Sequence, residues 1–180
     1  QVVIVPIAAH KPGVLEKAKE LAESLKSVAR VKLDDSDKAP GWKFSQWEMK
    51  GVPLRIEVGP RDLEQGQCVL VRRDNREKQF VKLEDLPTAI PAALDDLARA
   101  LYDRALANRE ARTAAAATMD EVLALTQKQT GFVKTMWCGE LACEEAMKEK
   151  AGLSSRCMPF EQEHISDVCP ICGKPAKTMV

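Results

Sequence analysis

The sequence lacks the features that place a protein in or across a membrane. Its longest apolar run, Val2 to Ala9, contains Pro6 and is much shorter than the about 20 residues of a membrane-spanning helix. No cationic stretch precedes this run and the first residue is Gln1, so a secretory signal is not indicated. We therefore expect a piece of a longer cytoplasmic polypeptide with no membrane partner.

Motifs for common catalytic chemistries are missing as well. The sequence has only two histidines, and it contains no glycine-rich phosphate loop, no Gly-x-Ser-x-Gly nucleophile elbow and no His-Glu-x-x-His helix. Nucleotide hydrolysis, acyl transfer through a serine nucleophile and zinc-protease chemistry are therefore not indicated.

The chain also lacks a net charge, because 27 Lys or Arg balance 27 Asp or Glu. No overall field attracts nucleic acid to such a chain. The charge is nevertheless uneven: the segment 38–82 holds ten Lys or Arg against six Asp or Glu, a local net charge of +4.

Hydrophobic periodicity predicts an α/β fold. The β-branched run "QVVIVPI" indicates a central strand buried on both faces, and an amphipathic helix from Val14 to Leu25 and a second strand, "VARVKLDD", follow it. A short helix starting near Pro40 precedes a strand at 54–58, where Arg55 and Glu57 alternate with apolar residues and predict a charged face.

Two further elements complete the predicted first domain, which we assign to residues 1–112. "QCVLVRRDNREKQFVKLED" indicates a hairpin and makes the sheet mixed, and a long helix runs from about residue 86 to 112. "TAAAAT" is interpreted as a hinge. A second domain, 118–180, then opens with a helix that Thr118 and Glu121 cap in a capping-box pattern.

Four cysteines in the second domain have metal-ligand spacing. Four residues separate Cys138 from Cys143, two separate Cys169 from Cys172, and 25 lie between the pairs. Two short-spaced pairs joined by a longer loop are typical of a closed, tetrahedral four-thiolate zinc site, which leaves no open position for chemistry. We therefore predict structural zinc.

Other interpretations of these cysteines remain. A thioredoxin-like redox pair would precede a helix, whereas "CPICGKPAK" leads into Gly and Pro. Two disulfides would need an oxidising compartment, and an iron-sulfur cluster uses the same ligand type. Cys157 and His164 are possible spare ligands that a four-thiolate site does not need.

These patterns together resemble a known family. "GWKFSQWEMKGVPLRIEVGPRDL", "FVKTMWCGELACEE", "SSRCMPF" and "CPICGKPAK" closely resemble, in this order, the C-terminal part of prolyl-tRNA synthetases of the archaeal and eukaryotic type, which some bacteria also have. The resemblance covers essentially all 180 residues. It implies a mixed-sheet class II synthetase anticodon-binding domain, followed by a small α+β zinc-binding domain.

The resemblance implies that the first domain recognises the anticodon of the tRNA for proline. Proline anticodons share guanines at the second and third positions, and a guanine edge offers N–H donors to Glu and acceptors to Arg. The expected anticodon-binding residues are Glu48, Arg55, Arg61, Trp42 and Phe44. Expected phosphate contacts, with plain surface charge as the alternative, are Lys43, Lys50, Arg72 and Arg73.

The family's ligase reaction joins proline to its tRNA with ATP and Mg, which belong to a class II catalytic domain that these 180 residues lack. We expect the residues alone to be inactive. Expected partners are the tRNA, the parent chain's catalytic domain and a second copy in a homodimer, but not DNA. Two alternatives remain: a zinc-stabilised protein-interaction module, or the anticodon domain of another class II synthetase.

Overall fold

The computed structural model describes residues 1–128 and 131–180, which form two compact units, Gln1–Asp103 and Arg104–Val180. The first unit is an α/β domain built on a five-stranded sheet, and the second is a small unit with two-stranded sheets. The division falls within the long helix, whereas the sequence predicts a domain end at residue 112.

Most elements of the first unit appear in the predicted order, whereas a short helix after the 54–58 strand, the strands after residue 112 and the last helix were not predicted. The strands are β1 (Val2–Pro6), β2 (Val31–Leu33), β3 (Leu54–Val58), β4 (Gln67–Arg72), β5 (Lys78–Lys82), β6 (Thr113–Ala115), β7 (Phe132–Lys134), β8 (Met136–Trp137) and β9 (Thr178–Met179). The helices are α1 (Val14–Ser24), α2 (Pro40–Met49), α3 (Pro60–Glu64), α4 (Leu86–Ala111), α5 (Met119–Lys128) and α6 (Leu141–Ala151). Of the helices in the described residues, none has the length and apolar character needed to cross a membrane.

The large sheet is mixed, as predicted. Its strand order is β2-β1-β3-β4-β5, with β1 parallel to both of its neighbours and β3, β4 and β5 antiparallel in succession. All five residues of β1 are buried, which confirms the prediction of a central strand. The buried β-branched run explains this position, because a strand covered on both faces has no polar side to show to water.

One face of the sheet carries the main hydrophobic core. Alternate residues of β1, β3 and β4, among them Ile4, Ile56 and Leu70, join Leu21 of α1 and Ile90 of α4 in one continuous cluster. The cluster lies wholly within the first unit. This unit therefore has a core of its own and does not depend on the second unit for one.

The opposite face of β3 carries charges, as predicted, but it is buried. Arg55 and Glu57 lie on this face, and every residue of β3 is buried. The reason is that Arg55 lies against Phe44 and pairs with Glu48, both on α2. The charges of β3 are thus neutralised inside the fold instead of being hydrated.

The interpretation of "TAAAAT" as a hinge is wrong. Thr113–Ala115 forms strand β6, which pairs in parallel with β7, and the next residue, Ala116, is buried. The two backbone segments approach closely where the pairing of β6 with β7 begins: a Cβ added at Gly131 would lie 2.0 Å from the carbonyl oxygen of Arg112. Only glycine fits there.

The predicted capping box at the start of α5 is confirmed. The Oγ1 atom of Thr118 accepts a hydrogen bond from the backbone N–H of Glu121 at 3.3 Å, and the Glu121 carboxylate accepts from the N–H of Thr118, also at 3.3 Å. The two bonds satisfy backbone donors that the first turn of a helix leaves unpaired.

Candidate nucleic-acid interface and metal centre

Three expected anticodon-binding residues meet on one side of the sheet. Phe44 and Glu48 lie one turn apart on α2, a spacing that places both on the same helix face. The guanidinium carbon of Arg55 lies 3.9 Å from the centre of the Phe44 ring, and its Nη1 donates to Oε1 of Glu48 at 2.9 Å. The sequence therefore brings together an aromatic ring, a guanidinium and a carboxylate.

A second carboxylate completes this cluster. Nε of Arg55 donates to Oε1 of Glu57 at 3.0 Å, and Nζ of Lys78 on β5 lies 3.6 Å from the other oxygen of Glu57. Arg55 is only 8% exposed, whereas the Glu48 side chain is about one-third exposed. The cluster thus holds a fixed guanidinium beneath a carboxylate that solvent can reach.

The expected phosphate contact at Lys43 is wrong, because this side chain faces inward. Lys43 is 2% exposed, and its Nζ donates to the backbone carbonyl of Asp34 at 3.0 Å and lies 3.8 Å from the Asp34 carboxylate. The indole of Trp47, one turn along α2, donates to the same carboxylate at 2.6 Å. The ammonium therefore anchors α2 to the end of β2 and cannot meet a phosphate.

Asp34 makes the attachment of α2 sensitive to pH. Burial opposes ionisation of this carboxyl, but hydrogen bonds from Ser36 and Trp47, aided by Lys43, outweigh burial and hold the pKa of Asp34 below its ordinary value of 3.8. A depressed pKa contributes stability above the unfolded pKa, and that contribution is lost as the pH falls through the folded pKa.

We expect Asp34→Asn to destabilise the first unit at neutral pH by about 1.5 to 3 kcal/mol, the usual range for hydrogen bonds to a charged group. The difference from wild type should persist down to about pH 5 and shrink below pH 4, because protonation then removes the charge from wild type as well. Urea unfolding at a series of pH values measures it. A difference that stays constant to pH 2 would contradict this role of the charge.

The remaining basic candidates lie at two separate places. Arg72 and Arg73, at the end of β4, join Glu48, Arg55 and Trp47 around a shallow depression beside the start of β3. Arg61 is exposed on α3, which follows the opposite end of β3. The structure thus brings Arg72 and Arg73 to the Glu48–Arg55 pair and leaves Arg61 at the other end of the strand.

The basic groups also differ in exposure and in whether their side chains already have a partner within the protein. Arg72 is held by Asp74 through two hydrogen bonds of 3.1 and 2.9 Å, and this pairing raises the pKa of Arg72 and lowers that of Asp74. Lys50 is exposed and lies 4.4 Å from the centre of the Trp47 ring. Trp42 is 52% exposed and offers a stacking surface on the outside of α2.

Two residues on the sheet face that carries Arg55 were not among the expected site residues. Glu57 was predicted only as part of a charged face, although a carboxylate two residues after an Arg on the same strand face is placed to pair with it. Phe80 on β5 was not singled out, yet it is 65% exposed and lies on the same sheet face as Arg55. The signal for Phe80 was an aromatic ring between Lys78 and Lys82, at the alternate positions of the strand that carry polar residues.

The four predicted cysteine ligands meet in the second unit. Sγ of Cys138 lies 3.6 Å from that of Cys143 and 3.7 Å from that of Cys172, and the four sulfurs, including that of Cys169, lie within 4.8 Å of one another. A tetrahedral zinc with Zn–S bonds of about 2.3 Å would place its sulfurs about 3.8 Å apart. The cluster therefore has the size that a four-thiolate metal site requires.

Short turns hold these sulfurs. Gly173 has a φ of 69° directly after Cys172, and its N–H donates to the carbonyl of Cys169 at 2.9 Å. Gly139 takes a φ of 95° directly after Cys138, and Cys143 lies in the first turn of α6. Both glycines occupy the left-handed region that a side chain disfavours, which explains glycine beside a cysteine in each turn.

The thiols of the cluster differ in how readily they ionise. Burial raises the pKa of the Cys169 thiol, but backbone N–H groups of Ile171 and Cys172 outweigh burial and bring this pKa down to about 7. Burial, together with the neighbouring cysteines, raises the pKa of Cys143 to about 12. A cation among the sulfurs would stabilise the charged form of each.

The other interpretations of the cysteines fit less well. All six cysteines are free thiols, and no helix follows Cys172, as a thioredoxin-like pair would require. Cys157 and His164 are exposed and lie outside the cluster. The side chains of Trp137 and Ile171 pack against the cluster instead. Within the part of the chain described, the candidate metal site therefore consists of the four predicted cysteines.

Comparison with known proteins connects both sites to one family. Residues 1–93 match the family described as "Anticodon binding domain", and residues 119–180 match "Prolyl-tRNA synthetase, C-terminal". Over all 180 residues, the chain is 58% identical to a proline–tRNA ligase of Clostridium novyi and 56% identical to one of Ruminiclostridium cellulolyticum. It is 55% identical to proline–tRNA ligase 2 of Bacillus cereus strain ATCC 10987.

The matches cover the whole of this chain but only part of each relative. The chain spans 38% of the length of these ligases. It therefore belongs to the anticodon-binding domain family, and it continues into the domain that forms the C-terminal part of prolyl-tRNA synthetases.

Proposed function

We propose that this chain reads the anticodon of the tRNA for proline, as part of a ligase that joins proline to that tRNA with ATP. One observation carries the proposal: the Arg55 guanidinium is fixed between the Phe44 ring and the Glu48 and Glu57 carboxylates on the sheet face that α2 covers, where Glu48 remains reachable from solvent. This arrangement offers acceptors and donors next to each other, which a guanine edge needs.

Glu48 is the group best placed to read a guanine. Of its two oxygens, Oε1 takes the hydrogen bond from Arg55, and Oε2 accepts none from the described residues. Oε2 can accept the N1–H or N2–H of guanine, which adenine does not offer in the same pattern. Arg55 holds this carboxylate in place and supplies its outer N–H to O6 or N7, so both residues serve one reading site.

The other expected contacts take supporting roles in this proposal. Trp42 offers an exposed ring and Phe44 backs the guanidinium, while Arg61 extends the basic surface beyond β3. Lys50, Arg72 and Arg73 supply sequence-independent attraction to phosphates. Lys43 is removed from this set because it is buried.

Binding to anticodon stem-loops tests the proposal. The panel holds a proline stem-loop, two variants in which either shared guanine becomes adenine, and one stem-loop of unrelated sequence, all at one salt concentration. We expect wild type to bind the proline stem-loop about 5- to 150-fold more tightly than each guanine variant, from the about 1 to 3 kcal/mol of one good base contact. Equal binding of all four RNAs would overturn the proposal.

We also propose that the cysteine cluster binds one structural zinc ion. Four thiolates at tetrahedral separation support this, and a closed ligand set supplies folding energy without reactive chemistry. The ATP and Mg of the ligase reaction belong to the catalytic domain of the parent chain, to which the 180 residues contribute no catalytic motif.

The cellular context follows from the proposed function. We propose a cytoplasmic, homodimeric parent of the archaeal and eukaryotic type, which some bacteria also have; the relatives compared are from bacteria. A protein-interaction module remains the second candidate, favoured by the exposed Phe132 and Phe160 of the second unit. The match over residues 119–180 disfavours a synthetase for another amino acid.

A further inference from the structure

An uncovered part of the sheet lies next to the Arg55 cluster. Residue pairing aligns Arg55 with Val71 and Lys78, and Glu57 with Val69 and Phe80, across β3, β4 and β5. Alternation along β5 then places Lys78, Phe80 and Lys82 on the face that carries Arg55. We call these three residues of β5 the Phe80 platform.

The Phe80 platform is open to solvent. Phe80 is 65% exposed, and the side chains of Lys78 and Lys82 are 58% and 70% exposed. Beside Phe80, its cross-strand partner Val69 on β4 is buried, so the ring is carried by a hydrogen-bonded strand and not by a loop. A rigid, exposed aromatic ring flanked by two ammonium groups matches the chemistry of a nucleotide, which has a flat base and an anionic phosphate.

From this arrangement we propose that the Phe80 platform stacks an unpaired RNA base beside the two guanines, with Lys78 and Lys82 near its phosphates. The inference rests on the proposed function and extends it. Continuity supports it, because Lys78 lies 3.6 Å from Glu57, the same carboxylate that holds Arg55. The platform and the reading site are therefore adjacent parts of one surface.

A structural explanation accounts for the lysines but not for the ring. β5 lies at the edge of the sheet, where exposed lysines discourage pairing with other chains. An exposed Phe at such an edge works against that protection and loses the stabilisation of burial. Stacking of an RNA base on the ring explains why Phe80 is exposed, which edge protection does not explain.

Stacking tolerates every base, because each has a π-face. The Phe80 platform should thus hold the nucleotide whose identity the site does not read, and we assign it the first anticodon position. Proline anticodons share guanine only at the second and third positions, so a contact that adds affinity without selecting a base fits the first. Phe80 should therefore contribute to affinity and not to discrimination.

The test uses the full 180-residue chain and a proline anticodon stem-loop with 2-aminopurine at the first anticodon position. Stacking quenches the fluorescence of this base, and we expect wild type to quench it. Phe80→Ala should abolish the quenching and weaken binding about 5- to 150-fold, the range for loss of one stacked base. Phe80→Trp should restore both.

Tyr102→Ala is the matched control, because Tyr102 of α4 is 66% exposed and lies outside the platform. It should leave binding and quenching unchanged. The preference for guanine over adenine at the second and third positions should be the same in Phe80→Ala as in wild type.

The outcomes separate the two proposals. Wild type that binds the stem-loop but ignores the guanines would overturn the proposed function, and the response of Phe80→Ala would still decide the platform. If Phe80→Ala binds the stem-loop and quenches the fluorescence as Tyr102→Ala does, the proposed role of the platform is overturned and the proposed function is not. The exposed Phe80 ring would then be assigned to contact with a protein partner. A wild-type chain that binds no stem-loop would overturn both.

Discussion

Removal of zinc should unfold the second unit and leave the first folded. The main cluster of buried apolar residues lies in the first unit, whereas three of the buried residues in the second are the cysteines Cys138, Cys143 and Cys169. The other buried residues in the described part of this unit are Ala116, Val122, Met136, Met179 and Thr135. The metal ligands are therefore a large share of a small core, and we expect the unit to depend on the metal for its stability. Structural zinc supplies on the order of 10 kcal/mol in small peptides, so we expect a large effect.

Metal analysis and hydrogen exchange together measure this. Wild type should contain close to one zinc per chain, and a chelator or Cys143→Ser should remove amide protection from residues 131–180 but not from 1–103. Cys157→Ser is the matched control, since Cys157 is exposed and outside the cluster. Substoichiometric zinc in carefully prepared protein, or full protection in Cys143→Ser, would contradict a structural zinc site.

Replacement of Arg55 by methionine should destabilise the first unit by about 3 to 5 kcal/mol, the usual cost of removing one partner from a buried ion pair. Arg55 is the shared partner of Glu48 and Glu57, and Glu57 is itself buried. Methionine fills similar space but leaves a carboxylate without its main counter-charge. The loss should therefore exceed that of any exposed charge on the same unit.

Urea unfolding of three variants isolates the cause. Arg61→Met removes an exposed arginine of the same unit and should change stability by less than about 0.5 kcal/mol. Glu57→Gln combined with Arg55→Met should recover part of the loss, because the unpaired charge is then gone. Equal stabilities of Arg55→Met and Arg61→Met would show that the pairing contributes nothing. Because Arg55→Met is expected to be unstable, the effect of Arg55 on RNA binding should be measured by comparing wild type with Arg55→Lys, which retains the charge.

Features written in local patterns were predictable. The apolar run of β1, the capping box at Thr118 and the turns of the cysteine site depend on residues close in sequence, and each appears in the structure where it was expected. The spacing of the cysteines was sufficient to predict the site, because each of two short turns positions two sulfurs. The longer loop then only has to bring the two turns together.

Features that depend on distant partners were not predictable in the same way. Lys43 reads as a surface lysine until Asp34 is placed beside it, and Arg55 reads as solvated until α2 covers β3. The alanine-rich stretch after α4 becomes a strand only because β7 pairs with it. These three assignments depend on contacts between residues far apart in the sequence. Local sequence patterns therefore could not determine them.

The most direct test of anticodon reading removes a single functional group from each guanine. Inosine lacks only the 2-amino group of guanine, and we expect wild type to bind an inosine-substituted proline stem-loop more weakly by about 1 to 3 kcal/mol at one or both shared positions. In Glu48→Gln that penalty should largely disappear, because an amide no longer offers a charged acceptor. If wild type binds the inosine and guanine stem-loops equally, or if Glu48→Gln retains the full wild-type penalty, Glu48 does not read the 2-amino group of either guanine.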